Sequence, residues 1–332
     1  MKLRQFGNVK SGTLGWVFPL VACLSLWAIA SAFAGGFTGN LLLVNITLAS
    51  FLGLVSVGQM MVIALGSGSF DLSLPYAMTL AAFVSGAISG GTDHHLALAI
   101  LGGLGAGLVV GMVNGLFVLG PGLPPIVATL ASGYVVYTLI LVLQGQGEAS
   151  PAPSLGNVVR GGWHGLTPVV GLSLVAWLLV ALARGRGRYG MYLHSIGQSR
   201  GAARLAGVPV NAVILATFAL SGLLAGVAGV LLSGYVGGAF ADMGSPYLLL
   251  SLAAVVVGGT SVRGGQSAIA ATVLGAIAMT LVTAVIELSH KSIGVQDMAE
   301  GLIVIAVVML TRVPWQKIRL GRAVLNSHDR ET

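Results

Sequence analysis

Charge is what this sequence has least of. Asp, Glu, Lys and Arg make up 8% of its 332 residues, against about a quarter in an ordinary soluble domain. Hydrophobic residues reach 56% and the mean hydropathy is +0.95, which excludes a water-soluble globule and most functions that need one. The single cysteine, Cys23, excludes an internal disulfide framework or thiolate metal site. The six histidines show no metal-ligand spacing, since His94 and His95 are adjacent rather than one helical turn apart. There is no G-x-x-x-x-G-K-[ST] phosphate loop, no HExxH, and no soluble stretch long enough to fold a nucleotide-binding domain. The expectation is therefore no catalytic residue, no metal and no cofactor on this chain.

What fills the sequence instead is a series of apolar runs, each roughly as long as a bilayer is thick. They lie near residues 14–34, 41–65, 74–90, 96–119, 126–143, 166–183, 210–233, 247–258, 266–287 and 295–311. The pattern predicts an all-α, polytopic transmembrane bundle of about ten spans. One membrane domain covers 1–332, with polar tails at about 1–13 and 312–332. The third and eighth runs are short and bordered by glycine, which predicts broken or tilted helices. The run from Leu14 is too long for a signal-peptide core and reads as an uncleaved first span.

Basic residues set the orientation. With the N-terminus in the cytoplasm and ten crossings, fourteen of the sixteen Lys and Arg fall on the cytoplasmic side, which is the positive-inside pattern. Only Arg160 and Lys291 fall outside it. Both termini are then cytoplasmic, and eight crossings with two re-entrant pieces would satisfy the same parity. The net charge of +7 thus reflects membrane orientation and not nucleic-acid binding. Gly103, Gly107, Gly111 and Gly115 recur every four residues, and Gly222 with Gly226 repeats the interval. Small residues at this spacing let helix backbones approach closely in lipid. Asn45-Ile46-Thr47 spells a glycosylation sequon but falls inside a span.

The most informative polar segment is 184–209, RGRGRYGMYLHSIGQSRGAARLAGVP. It reads as a cytoplasmic loop with a helical core from Ser199 to Ala206, preceded by Gly197 and closed by Gly207 and Pro209. Ala202 and Ala203 would give that helix a close-packing surface for a docking partner. Arg184, Arg186 and Arg188 fit contact with anionic headgroups.

Gly197, Ala202-Ala203, Arg204-Leu205 and Gly207-Val208 resemble the cytoplasmic signature of membrane permeases in binding-protein-dependent ABC sugar importers of the ribose, xylose and galactose type. Ala254 to Ser261 with Gly264-Gly265, and Phe70-Asp71-Leu72-Ser73, resemble two further motifs of that family, and the resemblance spans about 41–311. Gln198, Ser199 and Arg200 depart from the usual Gly, Asn and acidic residue. The resemblance implies a bacterial inner-membrane permease working by alternating access. It also implies a second permease chain, identical or homologous. Two ATP-binding subunits, which hold ATP and Mg, would dock on the cytoplasmic loops, and an extracytoplasmic receptor would deliver substrate. The coupling residues implied are Gly197, Ser199, Arg200, Ala202, Ala203, Arg204 and Gly207, with Gly258, Gly259 and Thr260 beside the path. The solute would be a monosaccharide or related polyol.

Asp71 is the carboxylate set deepest in apolar sequence, where exposure to lipid costs about 2.5–3.5 kcal/mol. With Ser69 and Ser73 it either borders the substrate path or caps the third helix. Asn45, Gln59 and Asn114 are further polar candidates for the path, or partners for neighbouring helices. Glu287, His290, Asp297 and Glu300 gather before the last span, and Asp242 lies in a Gly-rich outer segment. These are either a solvated rim or part of a receptor surface, for which 144–166 and 234–246 are the main candidates. Two other readings remain at this point: a permease of the same build for branched-chain amino acids, and an ion-coupled secondary transporter acting alone. The first would need buried charge opposite the solute, and the spans contain no basic residue; the second would need Asp71 to titrate.

Overall fold

The computed structural model describes residues 17–36, 39–145, 149–162 and 167–289, with seven more between 294 and 305. Every regular element among them is helical. In chain order they are α1 (Val17–Phe33), α2 (Gly39–Ala64), α3 (Leu74–Ser89), α4 (Leu96–Leu119), α5 (Pro125–Gln144), α6 (Pro153–Arg160), α7 (Pro168–Arg186), α8 (Arg188–Gln198), α9 (Arg200–Leu205), α10 (Val210–Val236), α11 (Tyr247–Val257) and α12 (Ile269–Leu288). Nine of these coincide with the first nine apolar runs. Six are long and apolar enough to cross a membrane: α2, α4, α5, α7, α10 and α12. α1, α3 and α11 are shorter, so the structure supports a multi-pass helical bundle but not the full count of ten. The tenth run and the two polar tails lie mostly or wholly outside the described residues, as do Lys291, His290, Asp297 and Glu300.

α2 and α10 form the axis. At 26 and 27 residues they are about 40 Å long at 1.5 Å per residue, and they are the most enclosed of the long helices. α3, α4 and α5 pack on one side of this pair, and α1, α11 and α12 on the other. Where α4 crosses α10 the predicted glycine ladder does its packing. Gly107 and Gly111 lie directly against the backbone of Phe218, Gly222 and Gly226, so the two spacings seen in the sequence are the two halves of one crossing.

Segments 66–69, 194–200 and 263–267 meet at one end of the bundle: Gly66 lies against Gly197 and Gly264, and the Gly265 N–H donates to the Ala64 carbonyl at 3.0 Å. Arg184 donates to the Ser267 hydroxyl at 2.9 Å at this same end. At the other end the Gly91 N–H donates to the Ser150 carbonyl at 3.1 Å, and Ser154 donates to Asp93 at 2.8 Å.

Two expectations need correction. Segment 184–209 is not a loop with one short helix: α7 runs on to Arg186, and 188–198 form a separate helix, α8, so Gly197 is helical. Segment 144–166 likewise contains α6, whose Leu155, Gly156 and Val159 are buried against α10.

Candidate functional site

The α8–α9 pair is built to sit across the end of the bundle. α8 buries Leu193 and Ile196, while Arg188, Met191, His194 and Gln198 are exposed. The Tyr189 hydroxyl shares a 2.8 Å hydrogen bond with Thr217 of α10, and His194 Nδ1 meets the Gly265 carbonyl. At Gly197 a side chain would strike the Gly265 Cα at 2.7 Å, so only glycine permits this contact. Ser199 then breaks the helix with extended backbone, and its hydroxyl accepts the Ala202 N–H at 3.3 Å, capping α9. Residues 197–201 also spell G-x-S-x-G, a spacing shared with hydrolase nucleophile elbows. Here a helix and not a strand precedes the serine, and its hydroxyl serves as a cap.

α9 presents two different faces. Ala203 is buried at 3% exposure, whereas Ala202, Arg204 and Leu205 are exposed, Leu205 at 92%. The alanine pair predicted as one docking surface is therefore divided: Ala203 seats the helix, and Ala202 faces out. Gly207, at φ +78°, closes the turn, with the Val208 N–H donating to the Ala203 carbonyl at 3.0 Å. Arg200 folds inward and donates to the Ser69 hydroxyl at 3.1 Å, while its Nε has no hydrogen-bond partner among the described residues. Partial burial pulls its guanidinium below the usual arginine range.

Ser69 lies in the 66–73 turn that ends α2. Gly66, Ser67 and Gly68 all adopt positive φ, and the Ser69 hydroxyl donates to the Gly66 carbonyl at 2.7 Å. Beyond it a buried polar network begins. Asp71 is 1% exposed. Its carboxylate accepts the Ser73 N–H at 3.1 Å and the Ser73 hydroxyl at 2.6 Å on one oxygen, and the Ser221 hydroxyl at 3.5 Å on the other. The Asp71 N–H donates to Gln59 Oε1 at 3.3 Å. Asn114 Nδ2 donates to the Ser73 hydroxyl at 2.6 Å, and Ser132 donates to Asn114 Oδ1. The Leu72 N–H donates to Thr129 at 3.0 Å. Side chains from α2, α4, α5 and α10 thus converge on the short segment before α3. Asp71 does not cap α3, because the Ser73 N–H it accepts precedes the helix. The geometry is an Asx turn.

The remaining path candidates lie elsewhere. Asn45 donates back to the Leu41 carbonyl at 2.8 Å and borders a cavity of about 690 Å³ between α2, α10, α11 and α12, shared with Thr280 and Glu287. Gly258 packs on the backbone of Ala271 and Thr272, Gly259 turns the chain at φ +76°, and the buried Thr260 hydroxyl has no partner among the described residues. The structure therefore joins Gln59, Asp71, Ser73 and Asn114, links Ser69 to Arg200, and leaves Asn45 and 258–260 apart. Sequence reading missed Thr129, Ser132 and Ser221, whose one signal was a small polar residue inside an apolar run. It also missed a cluster of Tyr76, Tyr134 and Tyr137 with Asp242. There the Tyr76 ring centroid lies 6.2 Å from that of Tyr134 and 5.6 Å from that of Tyr137, and the Tyr137 hydroxyl donates to Asp242 at 3.3 Å.

Residues 41–311 match a protein family described as branched-chain amino acid transport system / permease component. A probable ABC transporter permease protein of Sinorhizobium fredii is 31% identical over 81% of this chain and 79% of its own length. The ribose import permease protein RbsC of Escherichia coli K12 is 29% identical over 90% of this chain and 95% of its own. The fructose import permease protein FrcC of Rhizobium meliloti is 28% identical over 83% and 78%. No solved structure matches. With more than three quarters of its length inside the family match, and three motifs of ABC importer permeases in their expected order, the chain belongs to this family of transport-system permease components.

Proposed function

We propose that this chain is the membrane permease of an ABC importer for a monosaccharide or related polyol, with ATP hydrolysed on partner subunits. The observation that carries this reading is α9: a capped two-turn helix, seated by Ala203, held to the bundle through Arg200 and Ser69, and offering Leu205 outward. A large apolar side chain fully exposed beside Arg204, at the bundle end bearing Arg184, Arg188 and Arg263, fits insertion into a partner protein. That partner is an ATP-binding subunit carrying ATP and Mg. By this reading the α9 end is cytoplasmic, a second permease chain completes the path, and an extracytoplasmic receptor docks at the opposite end, where α6 lies.

The mechanism follows from how α9 is attached. A push on α9 reaches the 66–73 turn through the Arg200–Ser69 hydrogen bond, and the buried network ties that turn to α2, α4, α5 and α10. Displacement at one end thus tilts four helices together, which is what alternating access requires. The relatives named for ribose and fructose import favour a sugar. The family description favours branched-chain amino acids as a second reading, but among the described residues no basic side chain borders the 690 Å³ cavity to hold a solute carboxylate.

The test is uptake into proteoliposomes holding the permease, its ATP-binding subunits and its receptor. D-ribose or D-fructose should accumulate with ATP, L-leucine should not, and the permease alone should concentrate nothing. Uphill uptake by the lone chain on a proton or sodium gradient would refute the proposal. ATP-driven leucine uptake would select the second reading.

A further inference from the structure

We infer that Tyr76, Tyr134, Tyr137 and Asp242 form a sugar-contact site on the transport path; the identity of the solute class rests on the function proposed above. Tyr134 and Tyr137 are three residues apart on α5 and share a face. Tyr76, in the first turn of α3, lies between them. Gly133 makes this approach feasible, since a Cβ there would stand 2.7 Å from the Tyr76 ring. Asp242 reaches the cluster because its loop is pinned to α3, with the Gly244 N–H donating to the Thr79 hydroxyl at 3.1 Å.

Position separates this cluster from an interfacial aromatic belt. Tyr134 is nine residues after Pro125 in the 20-residue α5, about 14 Å along it, close to the middle of a hydrocarbon core about 30 Å thick. Belts of Tyr and Trp sit at the two surfaces. At mid-depth an exposed carboxylate cannot face lipid without a heavy penalty. Asp242 is exposed and Tyr134 is 58% exposed, so this face is turned to water within the assembled transporter. The chemistry of the face suits a sugar ring. The C–H face of a pyranose or furanose stacks on the electron-rich face of an exposed phenol, while ring hydroxyls donate to the Asp242 carboxylate in charge-assisted bonds. Such a site holds its solute briefly, as a path must.

The cluster also adjoins the buried network. Ser132 is next to Gly133, and Ser73 precedes Tyr76 by one helical turn. Movement of the 66–73 turn would therefore shift Tyr76 against Tyr134 and change the shape of the platform.

The experiment uses the assembled importer in proteoliposomes. In Tyr134→Cys, with Cys23→Ala removing the native thiol, a membrane-impermeant methanethiosulfonate should modify the introduced thiol, and any of D-ribose, D-fructose or xylitol that is imported should slow the modification. Uptake should fall about tenfold in Tyr134→Ala and stay within about twofold in Tyr134→Phe, which keeps the stacking face. An assembled variant whose thiol is inaccessible from water, or whose modification no imported solute slows, overturns the site while leaving the sugar reading intact. Protection by an imported amino acid instead would keep the site and remove the sugar.

Discussion

Substituting single glycines of α4 by alanine should separate close packing from open surface on one helix. A Cβ at Gly107 would stand 2.8 Å from both N and Cα of Gly226, and a Cβ at Gly111 would stand 3.0 Å from the Phe218 carbonyl carbon. These are backbone atoms that cannot rotate away. Restoring an ordinary carbon contact of about 3.5–4.0 Å requires the helices to part by about 1 Å, a gap that forfeits a quarter to a half of each neighbouring dispersion contact. Overpacking of this kind costs about 1–3 kcal/mol, which at about 3 °C per kcal/mol for a chain of this size is a fall of about 3–9 °C. Gly105 lies on the same helix with nothing within 4 Å of its Cβ position, so Gly105→Ala should leave the midpoint unchanged or raise it, alanine being the better helix former. The assay is thermal loss of monodisperse protein in detergent, read for the three variants together. If Gly107→Ala and Gly105→Ala melt at the same temperature, the close α4–α10 crossing is wrong. Unchanged melting with lost uptake in Gly107→Ala would make the crossing a moving seam instead.

Other substitutions test the remaining links. Leu205→Asp should abolish co-purification with the ATP-binding subunit without lowering the melting temperature, since that side chain touches almost nothing in the bundle; Ala203→Asp should instead destabilise the permease itself, as it buries a charge. Arg200→Ala should leave ATP hydrolysis in place but uncouple it from uptake, a change read as the ratio of sugar imported to ATP consumed; an unchanged ratio would remove Arg200 from the transmission route. Asp71→Asn keeps an acceptor for the Ser73 N–H and hydroxyl and should cost under about 1 kcal/mol, whereas Asp71→Leu strands those donors and should cost about 1–3 kcal/mol for each buried group left unpaired. Near-normal uptake by Asp71→Asn would also exclude a role for its charge.

The parts of this molecule that sequence reveals are those set by short-range repetition. Span positions follow from runs of apolar residues, and the Gly103–Gly115 ladder announces a tight crossing, although its partner at Gly222 and Gly226 becomes certain only in three dimensions. α8 escaped notice because local propensity and tertiary need conflict there. Gly190 and Gly197 weaken an isolated helix, yet Gly190 is needed against the Arg184 backbone and Gly197 against Gly265, and packing on α10 supplies what propensity withholds. The polar network was only half visible. Asp71 and Ser73 stand out in their own segment, but Ser221 lies 150 residues away and Asn114 lies 41 from Ser73, separations that no periodicity reports. Membrane burial favours such hidden partners, because a polar group drawn from water is costly unless another meets it. A lone Ser, Asn or Gln in an apolar run is therefore better read as a demand for an unseen partner than as a pathway residue. The exposed tyrosines and Asp242 are the exception, polar groups at mid-depth that the bundle leaves open, and an opening of that kind is where a passing solute can be met.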